Sequence, residues 1–144
     1  MIRLIDLMTP DPQSVTPDTC LMEILALMNN EGYRQVPVVD RTGKLVGIIT
    51  DRDIRLAMNS SVLNVELSKQ LSLLENVTAA ECMTRDPLTV TIDTPIYEVA
   101  ELLNTYKFGA LPVMKQNRLV GIITVTDFLN YIIAQTRPVA MSLN

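Results

Sequence analysis

The 144-residue sequence predicts an α+β (α/β) fold built from two copies of one β-α-β-β-α module, related by a pseudo-twofold axis. The first observation is a repeat, because the hexapeptide Leu-Val-Gly-Ile-Ile-Thr occurs at residues 45–50 and again at 119–124. The second is that the match continues upstream, where Val-Pro-Val at 36–38 pairs with Leu-Pro-Val at 111–113. The third is the period, which is 75 residues at the prolines and 74 at the hexapeptides. One residue is therefore lost between two strands, where a turn tolerates it.

The first elements of each copy are a short turn and an extended segment. The turns are predicted near residues 6–8 and 79–83, and the extended segments at 14–16 and 89–91. A helix follows in each copy, because apolar residues recur at helical spacing. These residues are Leu21, Ile24, Leu25 and Met28 in the first copy, and Ile96, Val99, Leu102 and Leu103 in the second. Thr19 and Thr94 are predicted as N-caps, with Pro95 at the first helical position.

A hairpin and a second helix complete each copy. The strands are predicted at residues 35–39 and 45–49, and at 110–114 and 119–123. Polar turns at 40–44 and 115–118 join them, as is typical of hairpins. The last helices are predicted at 51–58 and 125–134.

The repeat divides the chain into a first module at 1–58, a helical insertion or linker at 59–78 and a second module at 79–144. A single module would be marginally stable, and packing against its copy would cover the remaining face of its sheet. In the insertion, Leu63, Leu67, Leu71 and Leu74 predict a helix. Two interpretations are open for this helix: it covers apolar surface of its own chain, or it contacts a partner.

Composition excludes several classes of function. The net charge of −4 argues against a nucleic-acid-binding surface, and no apolar run is long enough to span a membrane. The acid at position 6 makes the N-terminal stretch unlike a signal peptide. Cys20 and Cys82 form no CxxC motif, which favours reduced thiols and a cytoplasmic location. The chain has no His, the commonest general base, and its acids lack metal-ligand spacing.

The motif Gly-Ile-Ile-Thr-x-x-Asp has two explanations. Its residues are Gly47, Thr50 and Asp53 in the first copy, and Gly121, Thr124 and Asp127 in the second. The structural explanation is a capping box, in which the Thr caps a helix and the carboxylate reaches back to the backbone. The functional explanation is a phosphate site at the helix N-terminus, with the carboxylate accepting hydrogen bonds from ribose hydroxyls. Two copies embedded in a matching module favour the functional explanation.

With these motifs, the sequence resembles a tandem pair of CBS domains, the arrangement called a Bateman module. The resemblance covers roughly residues 1–135 and is carried by Met-Thr at 8–9 and 83–84, the Val-Pro-Val and Leu-Pro-Val segments and the two Gly-x-x-Thr-x-x-Asp motifs. The helical insertion is similar to that of stand-alone CBS proteins of the acetoin-utilisation type. The resemblance implies regulatory binding of adenosine-containing ligands such as AMP, ADP, ATP or S-adenosylmethionine, without catalysis and with no required cofactor.

The resemblance also implies the site residues. Asp53 and Asp127 would hold the ribose, and the Thr and neighbouring residues of each motif would face sugar and phosphate. The segments 8–13 and 83–88 would contact adenine, and residues at the starts of the second strands would join them. We expect each pocket to cross the copies. The residues are Met8, Pro12, Gln13, Tyr33, Arg34, Gln35, Thr50, Arg52 and Asp53, and Met83, Pro87, Leu88, Phe108, Gly109, Ala110, Thr124, Thr126 and Asp127.

The two halves of this set are unequal in charge. Arg34 and Arg52 correspond to the neutral Gly109 and Thr126, so the two sites need not bind phosphate equally well. Lys107 and Arg118 are candidates to compensate. Two alternatives stay open here. Arg52 either binds phosphate or pairs with Asp51, and the aromatic rings of Tyr33 and Phe108 either stack on adenine or belong to the core.

The sequence therefore predicts a sensor module whose partners are an adenosine-containing small molecule, a second copy of the chain and an effector protein that it does not name. Neither nucleic acid nor a membrane is an expected partner. A homodimer is expected because the second helix of each copy has apolar residues on more than one side. The alternatives are a structural dimerisation module with degenerate pockets and an enzyme acting on nucleotides.

Overall fold

The structure is a computed structural model that describes residues 1–59 and 67–139. It confirms a mixed helix and sheet fold with two repeats. In chain order the elements are α1 (Leu4–Leu7), β1 (Thr9–Pro10), α2 (Leu21–Glu31), β2 (Gln35–Val39), β3 (Leu45–Thr50), α3 (Asp51–Asn59), α4 (Leu67–Asn76), α5 (Ala79–Cys82), β4 (Thr84–Arg85), β5 (Val90–Thr91), α6 (Ile96–Tyr106), β6 (Ala110–Lys115), β7 (Arg118–Thr124) and α7 (Val125–Thr136).

The strands form two sheets that exchange their short leading strands. One sheet has the order β1-β7-β6-β5 and the other β2-β3-β4. Strand β1 of the first repeat pairs antiparallel with β7 of the second, and β4 of the second repeat pairs antiparallel with β3 of the first. Strand β5 runs parallel to β6, and Val15 makes the matching parallel bridge to Val38. Each sheet is therefore completed by the other repeat.

The two hydrophobic cores follow the same exchange. The core under the second repeat contains Leu4 and Met8 from the N-terminal segment, together with Val90, Val99, Leu103, Leu111, Val113 and Ile123. The core under the first repeat contains Ala79 from α5, together with Leu21, Ile24, Met28, Val36, Val38, Ile49 and Ile54. The division at 1–58, 59–78 and 79–144 thus remains a proposal about sequence repeats, while each folded half takes its leading helix and strand from the other repeat.

The predicted N-caps are wrong by one residue. Helix α2 has Cys20 at its N-cap and α6 has Pro95, so Pro95 is not the first helical residue either. The hydroxyls of Thr19 and Thr94 instead accept hydrogen bonds from the backbone N–H groups of residues 16 and 91, at 3.1 and 3.0 Å. Each Thr side chain therefore closes the turn before the helix, an alternative that Thr hydroxyls commonly take.

The hairpin turns account for the residue that the second repeat lacks. In the first repeat residues 40–44 join the strands, and Asp40 Oδ1 accepts hydrogen bonds from the N–H groups of Thr42 and Lys44 at 2.9 and 3.0 Å. In the second repeat the equivalent stretch is 115–118, which is one residue shorter. Its outer residues belong to the strands, so Gln116 and Asn117 alone form the turn, with φ of 51° and 65°. Two successive left-handed residues are typical of the tight two-residue hairpin. The second repeat therefore lacks one residue at the turn where the sequence predicts the difference.

The insertion helix α4 covers part of its own chain. Leu74 packs against the core of the first repeat, as the first interpretation of this helix predicts. Leu67 and Leu71 are exposed, so part of the helix remains available to a partner. Leu63 lies outside the described residues.

Candidate functional site

Both Thr–Asp motifs form the same closed pair of hydrogen bonds where a strand passes into a helix. In the first repeat, Thr50 N–H donates to Asp53 Oδ2 at 2.9 Å and Asp53 N–H donates to Thr50 Oγ1 at 3.1 Å. In the second, the corresponding distances between Thr124 and Asp127 are 2.8 and 3.1 Å. This is the reciprocal geometry of a capping box. The structural explanation of the motif therefore holds at both sites.

The capping geometry leaves room for a second role. Each carboxylate uses Oδ2 for the cap, and Oδ1 takes part in neither of these bonds. Asp53 and Asp127 are half-buried, so their carboxylates are fixed by the cap without being sealed from solvent. A fixed carboxylate with one uncommitted oxygen can accept hydrogen bonds from a pair of hydroxyls at little further cost in conformational entropy.

Each motif lies beside the start of the preceding strand in its own repeat. Gln35 is opposite Thr50 in the hairpin, and Asp51 N–H donates to Arg34 O at 2.9 Å. The second repeat is built in the same way, with Ala110 opposite Thr124 and Val125 N–H donating to Gly109 O at 3.1 Å. Strand start and motif therefore form one cluster in each repeat.

The exchanged strands bring the other repeat against each cluster. Met83 and Thr84 cross Gly47 so closely that a Cβ there would lie 2.9 Å from Thr84 O. Met8 and Thr9 cross Gly121 in the same way. The motif glycines are thus required by the close approach of another backbone. The two copies therefore meet at the motif glycines, and a ligand pocket that crosses the copies stays a prediction.

The later residues of segments 8–13 and 83–88 lead away from the Thr–Asp pairs. Asp11 N–H donates to Val120 O at 3.0 Å and Asp86 N–H donates to Val46 O at 3.3 Å, which directs Pro12, Gln13, Pro87 and Leu88 toward the hairpin turns. Pro87 lines an opening of about 930 Å³ between those turns, whereas Leu88 is exposed and does not line it. The contacts of these segments with the motif-bearing strands therefore extend from Met8 to Asp11 and from Met83 to Asp86.

The two aromatic residues have different surroundings. Tyr33 is half-buried against the core of the first repeat. Phe108 is exposed and stacks on Tyr106, with ring centroids 5.5 Å apart. Its ring lines an apolar groove of about 510 Å³ between α6 and α7. Phe108 is thus already stacked within its own chain, and an adenine role for it stays a prediction.

Arg52 is not paired with Asp51. The Asp51 carboxylate lies 3.8 Å from Arg55 Nη1, one helical turn further along α3. Across residues 1–59 and 67–139, no acidic side chain lies within ion-pair distance of Arg52 or Arg34. Both side chains are exposed. The alternative of an Asp51–Arg52 pair is therefore wrong, and two cations without an acidic partner among the described residues lie beside the first motif.

Two residues of this region were not singled out as site residues from the sequence, although Arg85 lies within segment 83–88. Cys82 packs against the core of the first repeat, and burial, followed by the negative charges of Glu81 and Asp53, raises the pKa of its thiol. Arg85, on β4, lies opposite Gly47 and its Nη2 donates to Ala80 O at 3.4 Å. Their counterparts in the first repeat are Leu7 and Pro10, so the comparison of repeats gave no signal for either residue.

The described residues contain no cluster of three or more Cys, Asp or Glu side chains that could hold a metal ion. No helix in the same part of the chain is long and apolar enough to cross a membrane.

Comparison with known proteins gives one family. The model of the CBS domain matches residues 4–60 and 79–134. A crystal structure of an acetoin utilization protein from Vibrio cholerae is 33% identical, with a TM-score of 0.78, and covers 94% of this chain and 93% of its own. CBSX2 in complex with AMP is 29% identical with a TM-score of 0.76, over 95% and 100% of the two chains. A CBS domain pair in complex with 5′-methylthioadenosine and S-adenosyl-L-methionine is 28% identical with a TM-score of 0.72, over 91% and 99%.

Proposed function

The chain belongs to the CBS-domain family and carries two copies of the domain, and from this we propose that it is a non-catalytic regulatory module that binds adenosine-containing ligands. The ligands would occupy two sites. The Asp53 cleft consists of Arg34, Gln35, Thr50, Arg52 and Asp53, with the first residues of segment 83–88. The Asp127 cleft consists of Gly109, Ala110, Thr124, Thr126 and Asp127, with the first residues of segment 8–13.

One observation carries the proposal. In each repeat, a carboxylate held by a capping box lies where the backbone of the other repeat crosses the motif-bearing strand. The uncommitted Oδ1 of Asp53 and Asp127 would accept from the ribose hydroxyls, as acids do in dinucleotide sites. The crossing segment would supply backbone groups to the adenine edge.

The ligand class is supported by two relatives. One was solved with AMP and the other with 5′-methylthioadenosine and S-adenosyl-L-methionine, and adenosine is common to all three ligands. We extend this shared chemistry to the present chain as part of the proposal.

A thermal-shift panel with AMP, ADP, ATP, S-adenosylmethionine and NADH tests the proposal. A ligand that binds only the folded chain raises its stability by about 2.7 kcal/mol at roughly 100 times Kd. Calorimetry of the double variant Asp53→Ala/Asp127→Ala should then show weakened binding. Asp53→Glu/Asp127→Glu is the matched control for helix capping, because Glu is also suited to this position of a capping box. It should keep the stability of the unliganded protein while displacing the carboxylates from the ribose.

The panel also separates the alternatives. A structural dimerisation module with degenerate pockets would show no shift with any ligand. An enzyme acting on nucleotides would hydrolyse ATP, and this activity would disappear in the double Ala variant. Unchanged adenosine-ligand affinity in that variant would refute the ribose assignment.

We further propose that the chain forms a homodimer through the second repeat. Helix α7 exposes Leu129, Ile132 and Ile133 to solvent, and Val125 is partly exposed beside them. These side chains continue the apolar groove between α6 and α7 that Phe108 lines. A contiguous apolar face of this kind is typical of a protein interface, and a twofold contact covers it on both copies at once.

A further inference from the structure

We propose that the two clefts take different classes of adenosine ligand. The Asp53 cleft favours a nucleotide that carries phosphate, and the Asp127 cleft favours an adenosine compound without phosphate. This inference rests on the proposed function, since it assumes that both clefts bind adenosine. It is carried by the positions of the charged side chains around the two motifs.

Two guanidinium groups that have no acidic partner among residues 1–59 and 67–139 belong to the first cluster. The backbone of Arg34 is hydrogen-bonded to the motif through Asp51 N–H at 2.9 Å, so its side chain starts beside the helix N-terminus. Arg52 is the second residue of the same helix. The carboxylate that could neutralise it belongs to Asp51 and is paired with Arg55. In the described part of the chain, Arg34 and Arg52 thus have no acidic partner that would compete with a bound anion.

A third cation, Arg85, belongs to the strand that the other repeat adds beside the first motif-bearing strand. Arg85 is opposite Gly47 on the crossing strand β4. Within residues 1–59 and 67–139, its guanidinium donates one hydrogen bond, of 3.4 Å to Ala80 O, which leaves most of its donors uncommitted. Guanidinium groups bind phosphate through paired hydrogen bonds, so two of them at one helix N-terminus, with a third on the adjacent strand, favour a phosphate-bearing ligand.

None of the three cations has a charged counterpart in the Asp127 cleft. The equivalent positions are Gly109, Thr126 and Pro10. Gly109 is moreover crowded by Gln35, whose Nε2 would lie 2.6 Å from a Cβ at position 109. A long cationic side chain therefore cannot occupy this position unless Gln35 moves.

Most of the acids around the two sites, in contrast, are matched. Asp53, Asp86 and Glu81 in and around the first site correspond to Asp127, Asp11 and Asp6 around the second. The exception is Asp51, which is equivalent to Val125 and is paired with Arg55. A phosphate in the Asp127 cleft would therefore meet the matched acids without the compensating guanidinium groups. Placing a partly buried phosphate there without a cation is costly.

Of the two cations predicted to compensate, Arg118 lies far from the Asp127 motif and Lys107 lies nearer to it. Arg118 begins β7 and Thr124 ends it, which separates them by about 20 Å of extended strand. Lys107 lines the groove between α6 and α7, and Gly109 of the Asp127 cleft lines the same groove. Lys107 is therefore the one described candidate for a cation beside the Asp127 cleft, and a variant at this position is needed.

Calorimetry with two probes separates the clefts. AMP carries phosphate and 5′-methylthioadenosine does not. In Asp127→Ala, where only the Asp53 cleft keeps its carboxylate, we expect AMP to bind about ten- to a hundredfold more tightly than 5′-methylthioadenosine. In Asp53→Ala, we expect 5′-methylthioadenosine to bind at least as tightly as AMP. The same ratio of affinities in both variants would overturn the inference.

A charge variant tests the cause. Arg34→Ala/Arg52→Ala should weaken AMP binding about tenfold or more and leave 5′-methylthioadenosine unaffected. The control is Arg41→Ala/Lys69→Ala, which removes the same charge from exposed positions outside both clefts and should leave AMP affinity unchanged. An equal loss of AMP affinity in the two double variants would contradict the assignment. So would AMP binding to the Asp127 cleft that is abolished by Lys107→Ala.

The outcomes distinguish this inference from the proposed function. If neither probe binds the wild-type chain, the proposed function fails. If both probes bind but show no preference between the clefts, the proposed function stands and only the division of ligand classes fails.

Discussion

At the scale of single residues, the pKa of Cys82 depends on the charge of the first motif. Its thiol is near enough to Asp53 for that carboxylate to act on it, and burial and Glu81 act in the same direction. The pKa of the thiol is higher in the folded chain than in the unfolded chain. The protonated thiol therefore makes its full contribution to the free energy of unfolding at pH values below the pKa of the unfolded chain. This contribution is lost as the pH rises through the pKa of the folded chain.

Asp53→Asn should therefore lower the pKa of Cys82 and speed its alkylation. The amide oxygen of Asn can still accept the capping hydrogen bond, so only the charge is removed. The measurement is the rate of iodoacetamide labelling between pH 7 and 10 in a Cys20→Ser background. Asp127→Asn is the matched control, since Leu7 occupies the position equivalent to Cys82. Identical pH profiles for the two variants would show that Asp53 does not act on the thiol.

Gly47→Ala should destabilise the chain by about 1–3 kcal/mol, in the range of overpacking substitutions. The added Cβ would lie 2.9 Å from Thr84 O, and a backbone atom cannot move as a flexible side chain can. At Gly121 the nearest backbone atom, Thr9 O, would be 3.1 Å away, so Gly121→Ala should cost less. Urea unfolding checks both values. An unchanged free energy of unfolding for Gly47→Ala would mean that β4 does not pack closely against Gly47.

Some residues of the site were predictable and others were not. The Thr–Asp pairs could be found because the motif is local and occurs twice. Cys82 and Arg85 could not, because Leu7 and Pro10 replace them in the other repeat and only the fold brings them near the first motif. The pairing of Asp51 with Arg55 rather than with Arg52 depends on helix geometry, in which residues four apart are neighbours.

At the scale of elements, helix α1 belongs to the core of the second repeat. Leu4 is 1% exposed there, whereas the adjacent Ile5 is 46% exposed. Leu4→Ala should therefore cost about 2–5 kcal/mol, in the range of buried Leu deletions, and Ile5→Ala should cost much less. Thermal unfolding followed by circular dichroism should show a lower midpoint for Leu4→Ala. Similar midpoints for the two variants would place α1 outside the core.

The hairpins and main helices were predictable from sequence because their patterns are local. Alternation, turn residues and helical spacing each extend over several positions. The exchange of β1 and β4 was not predictable, since a two-residue strand has no periodicity and its partner lies more than a hundred residues away in one case. The N-caps were missed by one residue because Thr19 and Thr94 bond backward to the turn.

At the scale of the whole molecule, the exposed face of α7 predicts a dimer. Light scattering at micromolar concentration should give a mass near twice 16.1 kDa. Ile132→Glu should shift this mass toward the monomer, because a charge in an apolar interface lacks a partner. Asn130→Glu is the matched control, since it adds the same charge to the same helix outside the apolar stripe. A monomer for the wild-type chain at every concentration would refute the interface.

The exchange of leading strands also constrains how the two repeats can diverge. After a duplication, each copy would ordinarily accumulate substitutions independently. Here a change at Leu4 or Met8 alters the packing of the later repeat, and a change at Ala79 or Met83 alters that of the earlier one. Selection on either half therefore acts through residues encoded in both. Arg34 and Arg52 belong to neither core, and at their positions the two copies differ in charge.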